Sequence, residues 1–231
     1  MAISLLAKEL DALRKVSTPS ICNAIETFNM RPRNEGFMSS DIRCLFPNLG
    51  VLVGYAATAR IMADEPPVAG HQVSRLDWWD YLQEIPKPRV VVVQDLDRPV
   101  KGAYWGEQNA NIHKALGCAG VVTDGGVRDL DEMQAIGFHA FAGHVLASHA
   151  YVHLVEFGIP VRVGGLTVTP GDLLHGDKHG ITTIPPAIAA EVVPAAARVE
   201  RQEREIIELC QSPDFSLETL KERWKKVRGL Y

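Results

Sequence analysis

Residues 89–129 read RVVVVQDLDRPVKGAYWGEQNANIHKALGCAGVVTDGGVRD, and this stretch decides the fold. Four consecutive valines follow Arg89, and such a run is typical of a strand that is covered on both faces. Tyr104 to Leu116 has the pattern of a helix, and Ala119 to Thr123 has that of a second buried strand. The alternation of short strands with helices predicts an α/β domain with a mixed sheet.

The flanking segments extend this pattern in both directions. Apolar spacing predicts a helix over residues 3–15, and Ser17-Thr18-Pro19 supplies a hydroxyl cap and a first-turn proline for a second helix. The other predicted elements are one or two strands over 51–62, helices over 72–84 and 130–136, strands over 138–142 and 159–163, a strand–turn–strand unit from 166–169 to 180–184, and a helical tail over about 186–231. No linker or repeat divides residues 1–231, which predicts a single domain.

Composition and charge narrow the choice of partners. The net charge of −4 argues against nucleic acid, which would require a basic face. No uninterrupted apolar run approaches the length that crosses a bilayer, so no membrane partner is expected. Cys22, Cys44, Cys118 and Cys210 form no Cys-x-x-Cys pair, which favours reduced thiols and a cytoplasmic location.

Residues 106–109 are predicted to bind an anion. They open a helix directly after a strand, where backbone N–H groups are unpaired and the helix dipole is positive. A helix start of this kind is a favourable seat for a carboxylate. Gly106 would let such a ligand approach the backbone closely.

A second group of functional residues follows the buried strand over 119–123. The strand runs into a glycine pair and then into Arg128-Asp129, and ligands of open α/β sheets gather just past such strand ends. The planar guanidinium of Arg128 can hold a carboxylate or enolate oxygen, and Asp129 is a hard oxygen donor for Mg²⁺ or Mn²⁺. Twenty residues separate Glu107 from Arg128, so a strand–helix unit would return to the same sheet end and bring the three side chains together.

Five motifs in this order resemble the RraA-like family, which includes 4-hydroxy-4-methyl-2-oxoglutarate and 4-carboxy-4-hydroxy-2-oxoadipate aldolases. The central motif is an acidic residue, twenty residues and then Arg-Asp, here Glu107 and Arg128-Asp129. The others are Ser17-Thr18 with Asn23-Ala24, Gly54 to Arg60, Val168 to Asp172, and Gly176-Asp177 with Gly180.

The resemblance implies both a fold and a reaction. The fold would be a swivelling β/β/α domain, assembled as a homotrimer or a hexamer with active sites between subunits. The reaction would be that of a divalent-metal-dependent class II lyase. Such an enzyme cleaves a C–C bond of a 4-hydroxy-2-oxo acid to give pyruvate through an enolate, and it also decarboxylates oxaloacetate.

The resemblance also assigns roles to particular residues. Arg128 matches the substrate-binding arginine and Asp129 the metal ligand. Glu107 occupies the position of the acid–base residue, which is often Asp. The backbone N–H groups of Gln108 and Asn109 match the seat of the substrate carboxylate. In the C-terminal helix, Glu203 best fits an acidic residue that reaches the outer shell of the metal from a neighbouring subunit.

The same residues also admit other interpretations. Arg128-Asp129 has the form of a surface ion pair that caps the helix beginning at Leu130. His149 and His153 have the spacing of two metal ligands on one helix face, but no acidic third ligand has the expected spacing, which favours polar or interface histidines. The family also contains a regulator that docks on RNase E, so a non-catalytic binding protein is the alternative function.

Overall fold

The computed structural model describes residues 5–68 and 73–228 as a mixed sheet flanked by helices. The helices are α1 (Ala7–Leu13), α2 (Thr18–Glu26), α3 (Arg75–Glu84), α4 (Glu107–Ala115), α5 (Leu130–Ala135), α6 (Val192–Gln211) and α7 (Leu217–Arg228). The strands are β1 (Arg43–Cys44), β2 (Leu52–Met62), β3 (Arg89–Asp95), β4 (Ala103–Trp105), β5 (Cys118–Val127), β6 (His139–Val145), β7 (His153–Phe157), β8 (Val161–Val163), β9 (Leu166–Val168), β10 (Leu173–Asp177) and β11 (Gly180–Ile184).

The centre of the sheet is parallel and its edges are antiparallel. Strands β2, β3, β5 and β6 pair in parallel. On one side β10 and β11 add antiparallel strands, and β1 closes the other side against β6. Short strands β4 and β7 pair with β5 and β2, and β8 and β9 form a separate hairpin. This confirms the predicted mixed sheet with flanking helices and a helical tail.

The four valines of β3 explain why the sheet is covered on both faces. Val91 and Val93 belong to the larger apolar cluster, to which α1, α2 and α6 contribute. Val90 and Val92 point to the other face, in a smaller cluster that includes Val161 of the β8–β9 hairpin. Alternate residues of a strand face opposite sides, so a continuous apolar run is what a doubly covered strand requires.

Two predicted boundaries around the central helix are wrong. Tyr104 and Trp105 belong to β4, because Trp105 pairs with Val127 and the extended backbone of Gly106 separates the strand from α4. The strand that was predicted to end at Thr123 continues through the glycine pair to Val127. A Cβ at either glycine would be obstructed, so the pair serves close packing inside β5 rather than a turn after it.

Both strands of the predicted strand–turn–strand unit are present, as β9 and β11, but they do not pair with each other. Strand β9 pairs with β8, whereas β10 and β11 form the hairpin at the sheet edge. The prediction missed β10 and β7, both of which gain their stability from pairing with the long strand β2.

Some predicted features lie outside the described residues: the first two positions of the helix over 3–15, position 72 of the third helix, and the last positions of the tail. Within residues 5–68 and 73–228, no helix has the length and apolar character needed to cross a membrane.

Candidate active site

A cavity of about 390 Å³ lies where β4 and β5 end and α4 begins. Five of the residues predicted from sequence line it: Gly106, Gln108, Asn109, Arg128 and Asp129. The parallel pairing of β4 with β5 brings them together, because Gly106 and Arg128 each follow the last residue of their strand. The tertiary structure thus brings Arg128 and Asp129 to the start of α4, but the side chain of Glu107, the third that was predicted to converge there, is not among those that line the cavity.

Asp129 is held in an unusual conformation against the start of α4. Its φ of 53° and ψ of 51° lie in the left-handed region. Its Oδ2 accepts a hydrogen bond from the Glu107 N–H at 3.0 Å and lies 3.7 Å from the Arg128 Nε. Asp129 is the N-cap residue of α5 and pairs with Arg128, as the alternative interpretation expected, but its side chain makes no cap hydrogen bond to that helix and contacts the start of α4 instead.

Gly106 makes this arrangement possible through its lack of a side chain. A Cβ at Gly106 would collide with Oδ2 of Asp129 and lie 3.2 Å from Cγ of Arg128. Its φ of −160° is extended backbone, so the requirement is for space rather than for an unusual conformation. The glycine thus lets the carboxylate of Asp129 approach the first N–H of α4.

The first turn of α4 presents N–H groups to the cavity. The hydrogen bond from Ala110 N–H to Gly106 O, 3.0 Å long, begins the helix. Within the described part of the chain, the backbone N–H groups of Gln108 and Asn109 donate to no acceptor. The Asn109 side chain donates to Tyr104 O at 2.6 Å, which ties the helix start to β4. The predicted carboxylate seat therefore has unpaired donors at the positive end of a helix.

Glu107 occupies a different place from the other predicted residues. Its side chain is exposed and is not among those that line the cavity. Glu107 contacts Asp129 through its backbone N–H and not through its carboxylate. Its role as an acid–base residue stays a prediction.

Asp129 has the donor chemistry of a magnesium ligand. No three His, Cys, Asp or Glu side chains converge as a metal site among the residues that the structure describes. Mg²⁺ often uses one or two carboxylates and completes its coordination with water and substrate oxygens. Oδ1 of Asp129 accepts no hydrogen bond from the described residues, and the side chain is 38% exposed. A single Mg²⁺ or Mn²⁺ held mainly by water and substrate fits this carboxylate.

A buried histidine, His113, links α4 to α3. His113 accepts a hydrogen bond at Nε2 from the Trp78 indole N–H at 2.9 Å, and its Nδ1 lies 2.7 Å from Asn109 O. Both contacts are satisfied by a neutral imidazole with its proton on Nδ1. Burial lowers the pKa of His113 to about 4, so the ring stays neutral and joins α3 to α4.

This histidine predicts a loss of stability on mild acidification. Because the folded pKa lies below the ordinary value of 6.5, the stabilisation is complete above that value and is lost as pH falls towards 4. Between about pH 7 and about pH 4.5, we expect the wild type to lose about 2 kcal/mol more unfolding free energy than His113→Gln, whose amide can make both hydrogen bonds. Urea titrations at the two pH values measure this difference.

The comparison with His113→Gln is needed because other groups titrate in the same window. Burial lowers the pKa of His139 to about 4, which acts in the same direction as His113. Burial raises the pKa of Asp95 to about 6, which acts in the opposite direction. Both contributions are common to the two proteins. Equal losses in wild type and variant would contradict the role given to His113.

The cavity is also lined by Arg75, Tyr104, His149 and Tyr151. Burial raises the pKa of Tyr104 to about 12, so this phenol remains neutral. Arg75 and Arg128 give the cavity two guanidinium groups from separate elements. Arg75 begins α3 directly after the capping Ser74, a local signal that places it at a helix start but not at this cavity.

The structure bears differently on two sequence interpretations of metal-binding residues. Glu203 lies in a separate groove, where its Oε1 is 3.3 Å from Asn23 Nδ2, and its outer-shell role from a neighbouring subunit stays a prediction. His149 and His153 do not share a helix face, because His149 lies in a loop and His153 begins β7. Their spacing of four residues is therefore not evidence of a shared metal.

Comparison with known families gives one match that covers most of the chain. The profile of the family described as RraA-like, Aldolase/RraA, matches residues 18–183. An uncharacterised protein of Methanocaldococcus jannaschii is 26% identical over 208 residues, which are 88% of this chain and 89% of that protein. A protein of Halalkalibacterium halodurans, provisionally named 4-hydroxy-4-methyl-2-oxoglutarate aldolase, is 34% identical over 99 residues. That match spans 42% of this chain and about half (47%) of the relative.

Solved structures share the same fold. An uncharacterised protein from Pseudomonas syringae superposes with a TM-score of 0.74 at 26% identity, covering 96% of each chain. A Streptomyces coelicolor protein, described as an unusual member of the RNase ES inhibitor RraA family, gives a TM-score of 0.69 at 24% identity. It covers 87% of this chain and 97% of its own.

Proposed function

Because the chain belongs to the RraA-like family, we propose that it is a divalent-metal-dependent lyase that releases pyruvate from 4-hydroxy-2-oxo acids through an enolate. The family contains relatives named as aldolases as well as RNase inhibitors, so membership alone does not choose between the two activities. The proposal also includes decarboxylation of oxaloacetate, since both reactions pass through the enolate of pyruvate.

The observation that carries the proposal is the shared cavity of Arg128, Asp129 and the start of α4. It combines a guanidinium group, unpaired backbone donors and a carboxylate in one place. The first two suit the anionic end of a 2-oxo acid, and the third suits a hard cation. A surface used only for docking another protein does not need these three chemistries together.

Each of these residues would have a separate role in enolate formation. The N–H groups of Gln108 and Asn109 would bind the carboxylate of the substrate and orient it. Arg128 would stabilise the oxygen on which negative charge develops as the C–C bond breaks. Asp129 would hold Mg²⁺ or Mn²⁺, which supplies Lewis-acid stabilisation of the same charge when bound. The proton transfer at C3 or at the 4-hydroxyl needs a further group, for which Glu107 was the sequence prediction.

Oxaloacetate is the simplest test of this function. Purified protein with Mg²⁺ is expected to form pyruvate from oxaloacetate well above the rate of Mg²⁺ alone, because the site stabilises the enolate. Excess EDTA is expected to abolish the enzymatic rate, and added Mg²⁺ or Mn²⁺ to restore it. Coupling pyruvate to lactate dehydrogenase gives the rate continuously.

The outcomes separate the candidate functions. Pyruvate formation that survives chelation would rule out the metal. No pyruvate from oxaloacetate or from a panel of 4-hydroxy-2-oxo acids would rule out the lyase and favour the non-catalytic regulator of the RNase E type.

Assembly is part of the same proposal. We expect a homotrimer or a hexamer, because Glu203 lies in a different groove of the same chain and would reach the metal only from a second subunit. Light scattering of the purified protein tests the stoichiometry.

A further inference from the structure

The loop over residues 146–152 forms one wall of the cavity, and backbone hydrogen bonds hold it in place. Ala103 N–H donates to Ser148 O at 2.9 Å, and Leu146 N–H donates to Val127 O at 3.0 Å. At the far end of the loop, the N–H of Tyr151 donates to the carbonyl of Ala63 at 3.1 Å. The loop is thus tied to the strands that carry the rest of the site.

Gly102 shows how closely this loop lies against β4. A Cβ at Gly102 would lie 2.5 Å from the carbonyl oxygen of His149, so only glycine leaves room for the loop. Ala150, the next residue, has a φ of 47°, in the left-handed region that alanine rarely adopts. Ala150 and Asp129 are both non-glycine residues with positive φ, and both line the cavity.

His149 is oriented as a base by its own loop. Its Nδ1 lies 2.6 Å from the carbonyl oxygen of Ala150, a contact that requires a proton on Nδ1. In the neutral ring this leaves the lone pair on Nε2. His149 is exposed and is one of the residues that line the cavity.

The other ionisable side chains that line the described cavity are poorly suited to accept a proton. A guanidinium group has no acceptor atom and a neutral phenol is a very weak base, which excludes Arg75, Arg128, Tyr104 and Tyr151. Asp129 is taken up by its contact with α4 and by its proposed metal. Glu107 is not among the lining residues. His149 remains.

We propose that His149 is the general base that removes the 4-hydroxyl proton of the substrate during C–C cleavage. The inference rests on the proposed function and adds to it a catalytic residue on the 146–152 loop. It gives the histidine a role that needs neither a helix nor a shared metal.

The proton and electron balance closes within the site. Nε2 takes the hydroxyl proton, and the O–H electron pair becomes the second bond of the new carbonyl at C4. The C3–C4 bond breaks and its electrons pass to C3, giving the enolate of pyruvate. The imidazolium then returns its proton to C3, which yields pyruvate and a neutral His149. Oxaloacetate has no 4-hydroxyl group, so its decarboxylation skips the first proton transfer, and its enolate takes the proton for C3 from solvent water rather than from His149.

This difference between the two substrates provides the test. His149→Gln is expected to lower kcat for cleavage of 4-hydroxy-4-methyl-2-oxoglutarate by about 100-fold, the usual contribution of a general base. Its decarboxylation of oxaloacetate is expected to stay within about threefold of wild type, which also shows that the variant folds and keeps its metal. The matched control is His153→Gln, whose histidine lies outside the lining of this cavity and whose rates should both be unchanged.

Chemical rescue supplies a readout that a structural role would not give. Residue 149 lines the cavity, so imidazole added to His149→Ala is expected to restore cleavage of the 4-hydroxy acid in a concentration-dependent way, with no effect on decarboxylation. The corresponding addition to His153→Ala should change neither rate.

The remaining outcomes overturn the inference and distinguish its failure from that of the proposed function. If wild type forms pyruvate and His149→Gln loses both activities equally, or loses neither, His149 is not the base. If Glu107→Gln shows the selective loss instead, the sequence prediction of Glu107 is correct. If wild type forms pyruvate from neither substrate, the lyase function itself fails, and the inference with it.

Discussion

Asp129→Asn is expected to lower kcat/KM for pyruvate formation at least about 1,000-fold, a loss of about 4 kcal/mol of transition-state stabilisation. The reason is chemical rather than structural, since an amide has nearly the shape of the carboxylate but lacks its charge. A neutral amide oxygen is a poor ligand for Mg²⁺ compared with a carboxylate. The metal requirement should weaken with the activity.

The variant is chosen because the fold should tolerate it. Asn is among the few residues that adopt the left-handed conformation readily, so the φ of 53° at position 129 is preserved. The amide oxygen can still accept the hydrogen bond from the Glu107 N–H, and the space left by Gly106 suits a side chain of the same size. Unfolding measurements should therefore place Asp129→Asn within about 1 kcal/mol of wild type.

Initial rates measured across a Mg²⁺ titration test this expectation. The control is Asp131→Asn, which makes the same chemical change at an exposed position in the first turn of α5, outside the cavity lining. The control should behave as wild type. If Asp129→Asn kept normal turnover with a normal response to Mg²⁺, Asp129 would not be the metal ligand.

Arg128→Lys is expected to lower kcat about 100- to 1,000-fold, the cost of losing one well-placed donor to a developing oxyanion. The positive charge remains in this variant, so the effect measures the planar fork of the guanidinium rather than charge alone. Within the described residues the guanidinium has only a 3.7 Å contact with Asp129, so its donors are free for a ligand. A lysine supplies a single ammonium group and cannot present the two parallel N–H donors of a planar guanidinium.

The division of the loss between kcat and KM gives the role of Arg128. A group that stabilises the enolate lowers kcat and kcat/KM together, whereas one that only binds the substrate raises KM. We expect the first pattern for both oxaloacetate and 4-hydroxy acids, because both form the same enolate. Arg162→Lys, at an exposed position of β8, is the matched control. A change in KM alone would assign Arg128 to ground-state binding.

The parts of the fold that are local in the chain could be predicted. The valine run of β3 needs only the rule that a doubly covered strand is apolar at every position. Ser17 caps α2 through its side chain, as the hydroxyl and the following proline indicated. The predicted boundaries of β4 and β5 are wrong because the extent of these two strands depends on their pairing with each other, which no local pattern contains.

Residues 149–153, which contain His149 and His153, show the same limit of local patterns more clearly. A spacing of four residues would place two histidines on one face if the segment were helical, but β7 begins at His153 because it pairs antiparallel with the end of β2, a strand far away in the chain. The loop before it reaches the cavity because of backbone hydrogen bonds to Ala63 and Ala103. Its composition gave no sign of either contact.

The amino-acid sequence by itself determined the family and the central buried strands, and it singled out Arg128 and Asp129 as candidate site residues. These follow from short motifs and from the apolar pattern. Only the tertiary structure decided how the groups meet. It turned Asp129 towards the start of α4, kept the side chain of Glu107 outside the cavity lining and brought His149 into it. The physical reason is that a motif fixes which groups are present, whereas strand pairing and backbone hydrogen bonds between distant segments fix where those groups point.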